Sequence, residues 1–291
     1  MSRTVTAGID GSREGLAAAD WAAGEALIRG CPLRLVHVWR DDDPSAAHYA
    51  DLETRRRSAE GLLHEAAGQL RRDHPELRIE TEQKAGAPVE ELRAVGDRSE
   101  ILVLGSRGLG SVKGFVVGSV SLAVLARVRC PLVLVRAGAP DGSAPPPSAG
   151  DVIVGLDLPG TGREDHLAFA FAAAERYGCG LRAVHSWSLP PMYGPGTTDV
   201  VPVLMQETAE ARRKEMDAAL TPWTAAHPGV RVSRECVQGH PAQILVDSSP
   251  GARLVVVGLR QRASRLGGHV GPVVHSVLHH TAAPVAVVPH G

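Results

Sequence analysis

The sequence predicts two tandem doubly wound α/β domains. Strand-like and helix-like segments alternate as β-α-β-α-β-α-β-α-β, the pattern of a parallel sheet wound with helices on both faces. That pattern occurs twice in 291 residues, a length comfortable for two domains and long for one. One strand-like run, Ile101–Leu104, contains no polar residue, as a central parallel strand buried on both faces requires.

The repeat is legible from spacing. Asp10 and Asp157 both end apolar runs at an offset of 147 residues. Cys31 and Cys179, and His37-Val38-Trp39 and His185-Ser186-Trp187, are 148 apart. Gly86-Ala87-Pro88 and Gly239-His240-Pro241 are 153 apart, as are Gly105 and Gly258, Gly118 and Gly271, and Pro131 and Pro284. The offset changes in the first helix and in mid-unit, and loops and helix ends tolerate such length changes. Units this long indicate a duplicated domain, because solenoid repeats are much shorter. The expected division is 1–137, a Pro/Gly/Ser-rich linker at 138–150, and 151–291.

Each element of the first unit has a local reason. Thr4–Ile9 is a short apolar strand that runs into Asp10-Gly11-Ser12. Ser12 can N-cap an Ala- and Leu-rich helix reaching about Arg29. Leu33–Trp39 reads as a strand, residues 51–73 as a long charged helix and Leu77–Gln83 as a third strand. Pro88 suits the first position of a helix that ends near Arg98. A glycine loop follows Ile101–Leu104, then a helix over 118–128 and a last strand, Pro131–Arg136. The second unit repeats this order from Asp151 to Pro289.

Composition excludes several function classes. The net charge is −1 and aromatics are 3%, so neither a basic field nor stacking platforms point to nucleic acid. The apolar runs are far below membrane-spanning length, so no membrane partner is expected. The four cysteines form no C-x-x-C pair or zinc spacing, and the N-terminus lacks a signal-peptide pattern. A cytoplasmic protein with small buried thiols is the expectation.

The chemistry-bearing pattern is a glycine ladder. Gly105-Ser106-Arg107-Gly108 is followed after nine residues by Gly118-Ser119. In an open α/β sheet, ligands bind beyond the carboxyl ends of the strands where the winding reverses. Asp10 ends the first strand and Gly105 the fourth, so neighbouring placement would bring both to one crevice. Gly105, Gly108, Gly110 and Gly114 permit left-handed turns and close backbone approach, and exposed loop amides make an anion site. Gly118-Ser119 opens a helix whose first N–H groups favour a phosphate, and the Ser119 hydroxyl adds a donor. Arg107 or Lys113 can add charge from the loop.

The second copy, Gly258-Leu259-Arg260-Gln261 with Gly271-Pro272, keeps the spacing and loses the chemistry. Gln261 puts a side chain where the second glycine stood, and Pro272 removes a hydroxyl and an amide donor while still suiting a helix start. Losing one charge-assisted hydrogen bond to phosphate costs about 1.5–3 kcal/mol, roughly a 10- to 100-fold loss of affinity.

Asp10-Gly11-Ser12, the 105–119 ladder and the Pro131-Leu132-Val133-Leu134-Val135 strand together resemble the universal stress protein family, in its tandem actinobacterial form. The resemblance covers the chain outside the linker. It implies a five-stranded parallel sheet per domain in the order 3-2-1-4-5, with ATP in the crevice. It places Asp10 near the ribose or a Mg or Mn ion, with Gly8 beside it, and the Val38 backbone against adenine. Gly105, Ser106, Arg107, Gly108, Leu109, Gly110 and Ser111 would hold the phosphates with Gly118, Ser119 and Val120. It also implies pairing through the last strands, Pro131–Arg136 with Pro284–Pro289, as an internal pseudo-dimer, and leaves a homodimer open. Gln261 and Pro272 depart from the pattern, which puts nucleotide binding by the second domain in doubt.

Other constellations read as structural. His275, His279 and His280 lack an accompanying carboxylate or thiol and suit a helix C-terminus. His37 and His185 read as hydrogen-bonded strand residues, Arg55-Arg56-Arg57 as a solvated helix face and Gly160-Thr161-Gly162 as a turn. Neither a P-loop nor a G-x-S-x-G elbow occurs. Three functions stand: an ATP-binding regulatory protein of the stress response, a slow ATP hydrolase for which no base for water is evident, and an interaction module that binds no nucleotide.

Overall fold

A computed structural model describes residues 4–40, 52–106, 117–137, 150–158, 165–189, 201–260 and 270–291. The first repeat runs β1 (Val5–Gly8), α1 (Arg13–Arg29), β2 (Leu33–Trp39), α2 (Leu52–Asp73), β3 (Ile79–Ala85), α3 (Pro88–Gly96), β4 (Ile101–Ser106), α4 (Ser119–Leu125) and β5 (Leu132–Arg136). The second runs β6 (Val152–Leu156), α5 (Asp165–Tyr177), β7 (Leu181–Trp187), α6 (Val201–Ala226), β8 (Val232–Gln238), α7 (Pro241–Ser248), β9 (Leu254–Arg260), α8 (Pro272–His280) and β10 (Val285–His290).

Within each repeat every strand pairing is parallel, in the order 3-2-1-4-5. The two sheets join edge to edge. β5 pairs antiparallel with β10, Leu134 opposite Val285 and Leu132 opposite Val287, to give one ten-stranded sheet ordered β3-β2-β1-β4-β5-β10-β9-β6-β7-β8. One apolar core lies under α1, α2, α5 and α6, and the other under α3, α4, α7 and α8. Both cores run through both repeats.

Local chemistry accounts for the helix ends. Ser12 N-caps α1, its hydroxyl accepting the Gly15 amide at 3.1 Å, and Gly30 closes the helix in the left-handed region at φ 61°. Pro88, Pro241 and Pro272 stand in the first turns of α3, α7 and α8, where a missing N–H costs nothing.

Several boundaries differ from the sequence expectation, α4 ending at Leu125 rather than about 128, and two of the shifts have a visible cause. β3 begins at Ile79 rather than Leu77, because the Leu77 amide donates to the His74 carbonyl in the turn after α2 and its side chain anchors that turn in the core. β4 extends to Ser106, since Gly105 and Ser106 continue the ladder opposite Val135 and Arg136.

Beside the β5–β10 seam, α1 packs on α5 through a buried polar cluster. Glu25, 3% exposed, accepts from Arg29 Nε at 2.5 Å and from the Tyr177 hydroxyl at 2.6 Å. Arg29 also donates to Glu100, and the Arg253 guanidinium lies 4.3 Å from the Tyr177 ring centre. Burial, then the Glu25 charge, push the Tyr177 phenol far above its ordinary pKa.

Candidate functional site

The winding of the first repeat reverses between β1 and β4. They are neighbours in register, Gly8 opposite Leu104, while α1 leaves β1 toward one face and α4 leaves β4 toward the other. A crevice at their carboxyl ends follows from that topology.

On the β1 side, Asp10 is exposed one turn before α1. Its Oδ1 accepts from the Ser12 amide at 3.0 Å and from the Ser12 hydroxyl. The intervening Gly11 has φ 80°, a conformation that glycine takes at little cost. His37 Nδ1 donates to the Ile9 carbonyl at 2.7 Å, which ties the end of β2 to the residue before Asp10. His185 repeats this with the Leu156 carbonyl at 3.0 Å, so both histidines are strand-end fasteners, as read from the sequence.

On the β4 side, Gly105 is part of the strand and does not make a left-handed turn. Its missing side chain serves close approach. A Cβ there would lie 2.5 Å from the Glu14 carbonyl carbon and 2.8 Å from the Gly15 nitrogen, so the first turn of α1 rests directly on it. Gly15 in turn lies against Asp10, whose Oδ1 would be 2.8 Å from a Cβ. Ser121, in the first turn of α4, donates to the Gly105 carbonyl at 3.1 Å. Asp10, Gly105 and the start of α4 are thereby gathered around one strand end.

Gly118 is the N-cap of α4, and Ser119 and Val120 are exposed in its first turn. Among the described residues, a Cβ on Gly118 would meet nothing closer than Ser121 Oγ at 3.8 Å. Gly8 is used for packing, since a Cβ there would lie 2.5 Å from Leu104 Cδ2. β1 stops opposite Val36, so Val38 lies past its end and has a sheet partner, Lys84, on the β3 side. Ser106 is buried, with its hydroxyl on the Val135 carbonyl at 3.2 Å. Arg107, Gly108, Leu109, Gly110 and Ser111 lie outside the described residues, as do Lys113, Gly114 and Gln261.

Gly15, Ser121 and the Glu14 backbone were not singled out from the sequence. Ser121 carried a faint signal in Gly118-Ser119-Val120-Ser121, a second hydroxyl two residues after the first.

Among the described residues no group of three or more His, Cys, Asp or Glu could hold a metal. Asp10 is a single exposed carboxylate at the crevice. That donor set fits Mg or Mn arriving with a polyphosphate, because Mg commonly takes one or two carboxylates and completes its shell with phosphate and water.

The equivalent end of β9 differs. Gly258 is approached by side chains, with His290 Nε2 2.9 Å and His166 Cγ 3.4 Å from a hypothetical Cβ. The two imidazoles lie 5.9 Å apart. The residues equivalent to the start of α1, 161–164, lie outside the described residues. Pro272 heads α8, and a buried Val274 stands where α4 has Ser121.

Comparison with known proteins agrees with this architecture. The model of the universal stress protein family matches twice, over residues 1–136 and 150–289. The chain is 34% identical to the universal stress protein Rv2005c of Mycobacterium tuberculosis, over 97% of this chain and 96% of that one. It is 31% identical to Rv2623 of the same organism, over 97% and 95%. Among solved structures, a universal stress protein from Archaeoglobus fulgidus aligns over 100% of both chains with a TM-score of 0.73 at 20% identity. One from Pseudomonas aeruginosa covers 99% of this chain and 93% of its own with a TM-score of 0.65 at 17% identity. No described helix is long and apolar enough to cross a membrane. The chain belongs to the universal stress protein family.

Proposed function

We propose that this chain is a cytoplasmic, ATP-binding regulatory protein of the stress response, with the nucleotide held in the first repeat. The observation that carries the reading is the difference between the two strand ends. In the first repeat Asp10, the α1 start and the α4 start gather at Gly105, and no described residue crowds Gly118. In the second, imidazoles crowd Gly258 and proline heads the helix.

In this reading the 105–119 loop and the first amides of α4 take the phosphates, Ser119 donates to one, and the adenine lies against the end of β2 at Val38. Asp10 holds the ribose or the Mg or Mn ion that accompanies the nucleotide. The second repeat serves as the partner that completes an internal dimer, supported by the antiparallel β5–β10 pairing.

The test is the nucleotide released from purified protein on denaturation, identified by mass, together with calorimetric titration of ATP. A single nucleotide per chain is expected, lost in the Gly118→Ala/Ser119→Ala variant. No described residue crowds Gly118, and a melting temperature unchanged in the variant assigns that loss to the ligand rather than to folding. Two equivalent sites would refute the asymmetry. No binding at all would leave the interaction module, and steady turnover abolished by changing Asp10 would make the protein a hydrolase.

A further inference from the structure

A second difference between the repeats lies at the far edges of the sheet. β3 and β8 are the two edge strands, each covered on one face by a long helix, α2 or α6. Across these elements the repeats match at an offset of 153 residues. Ile79–Ala85 becomes Val232–Gln238, and the buried helix residues Leu63 and Ala67 become Met216 and Leu220.

In the second repeat the helix–strand seam is bridged. Arg234 Nε lies 3.0 Å from Asp217 Oδ1. The corresponding residues of the first repeat are Thr81 and His64, which make no such bridge. A cleft of about 340 Å³ opens there instead, floored by Leu63 and Ala67 and walled by His64, Thr81 and Gln83. Arg56 and Arg71 flank it, with Glu60 the carboxylate on its wall. Among the described residues Arg56 makes no ion pair, and Arg71 donates to the Ile79 carbonyl at 3.2 Å. Their counterparts in the second repeat are the uncharged Ala209 and Thr224.

Length selects the class of ligand. Arg56 and Arg71 stand fifteen residues apart on α2, about 22 Å at 1.5 Å per residue. An extended ligand matches that backbone separation better than a compact anion. The seven residues of β3 span about 23 Å. The outer backbone edge of β3 has no strand beside it among the described residues. The charged side chains Glu80, Glu82 and Lys84 alternate onto the other face, where they pair with Arg34, Arg78 and Glu91. On the α2 face Thr81 and Gln83 stand between the two arginines, and the Gln83 amide donates to the Arg56 carbonyl at 3.0 Å.

We infer that this seam binds an acidic peptide segment in extended conformation. The segment adds to the free edge of β3 through main-chain hydrogen bonds and places carboxylates on Arg56 and Arg71. The site is separate from the crevice at Gly105 and does not rest on the nucleotide reading.

The probe is a fluorescein-labelled seven-residue peptide alternating glutamate and valine, titrated into the full chain at low salt by fluorescence polarisation. Saturable binding is expected, weakening as salt rises. Arg56→Glu/Arg71→Glu should weaken it about tenfold or more. Arg57→Glu/Arg72→Glu makes the same charge change on the same helix and should leave it within about twofold. Arg71→Gln gives a milder variant, and circular dichroism checks that each folds. N-methylation of alternate peptide amides on the pairing edge should abolish binding. The inference is overturned if the peptide does not bind, if both arginine doubles act alike, if a lysine–valine peptide binds as well, or if the N-methylated peptide binds unchanged.

Discussion

The ends of β4 and β9 carry the same glycine in the same sheet position and are crowded by different groups. At Gly105 the neighbour is main chain, the first turn of α1, which nothing but a shift of the helix can move. Among the described residues, the groups nearest a Cβ on Gly258 are the imidazoles of His290 and His166. The sheet beneath is alike in both repeats, four buried apolar residues at Ile101–Leu104 and four at Leu254–Val257. A doubly wound sheet needs only buried strands and covering helices, so the groups around a strand end can change while the fold stays.

The largest effect expected is where the repeats meet. Arg29 and Glu100 of the first repeat correspond to Tyr177 and Arg253 of the second, so the α1–α5 contact is complementary and not self-matching. Glu25→Ala removes the carboxylate shared by Arg29 and Tyr177, and should cost about 3–5 kcal/mol in chemical denaturation, as loss of one partner in a buried ionic cluster does. Tyr177→Phe should cost less, about 1.5–3 kcal/mol for one hydrogen bond to a buried charge. Equal costs would show that the cluster is not organised around Glu25.

The glycine comparison can be broken directly. Gly105→Ala forces a methyl against the α1 backbone and should cost about 1–3 kcal/mol, while Gly258→Ala meets a side-chain tip among the described residues and should cost less. Similar melting shifts for the two would remove the distinction.

Ser121→Ala deletes the tie from α4 to the Gly105 carbonyl and should cost about 1 kcal/mol. The reverse exchange in the second repeat, Val274→Ser, places a hydroxyl in a buried apolar site and should stabilise nothing. A gain there would mean that the second strand end can be rebuilt by one hydroxyl.

The smallest effect is alkaline. Burial raises the Cys130 thiol from 9.0 to about 12, and the matching residue of the second repeat is Ala283. Below pH 9 the thiol is neutral in both folded and unfolded chains. Above it the unfolded thiol ionises first, so stability falls as pH rises from 9 toward 12. The expected loss is about 0.8 kcal/mol at pH 9.5. Cys130→Ala should flatten that slope by this amount, and an unchanged slope would assign the alkaline loss elsewhere.

Much of the fold was legible because its signals are local. Ser12 caps α1, Pro88 starts α3, and the apolar run at 101–104 is the buried centre of β4, each within a few residues of where the sequence puts it. Leu77 misled because an apolar residue before a strand can anchor a turn as well as extend the strand. The ladder marked Gly105 and Gly118, but assigned Gly105 to a turn. Its actual neighbour, Glu14, lies ninety-one residues away in the chain, and no spacing announces such a contact.

By itself the sequence determined the duplication, the alternation of strand and helix, and the residues each repeat brings to its strand ends, because periodicity and capping act over one or two turns. Only the tertiary structure decided how the repeats join. The β5–β10 pairing, the Tyr177–Glu25 contact and the rest of α1 on Gly105 all link residues far apart in sequence. The cleft at α2 and β3 belongs with them, since Arg234 and Asp217 form an ion pair at its twin only after a strand and a helix are laid side by side. Contacts of that kind depend on which surfaces the packed layers bring together.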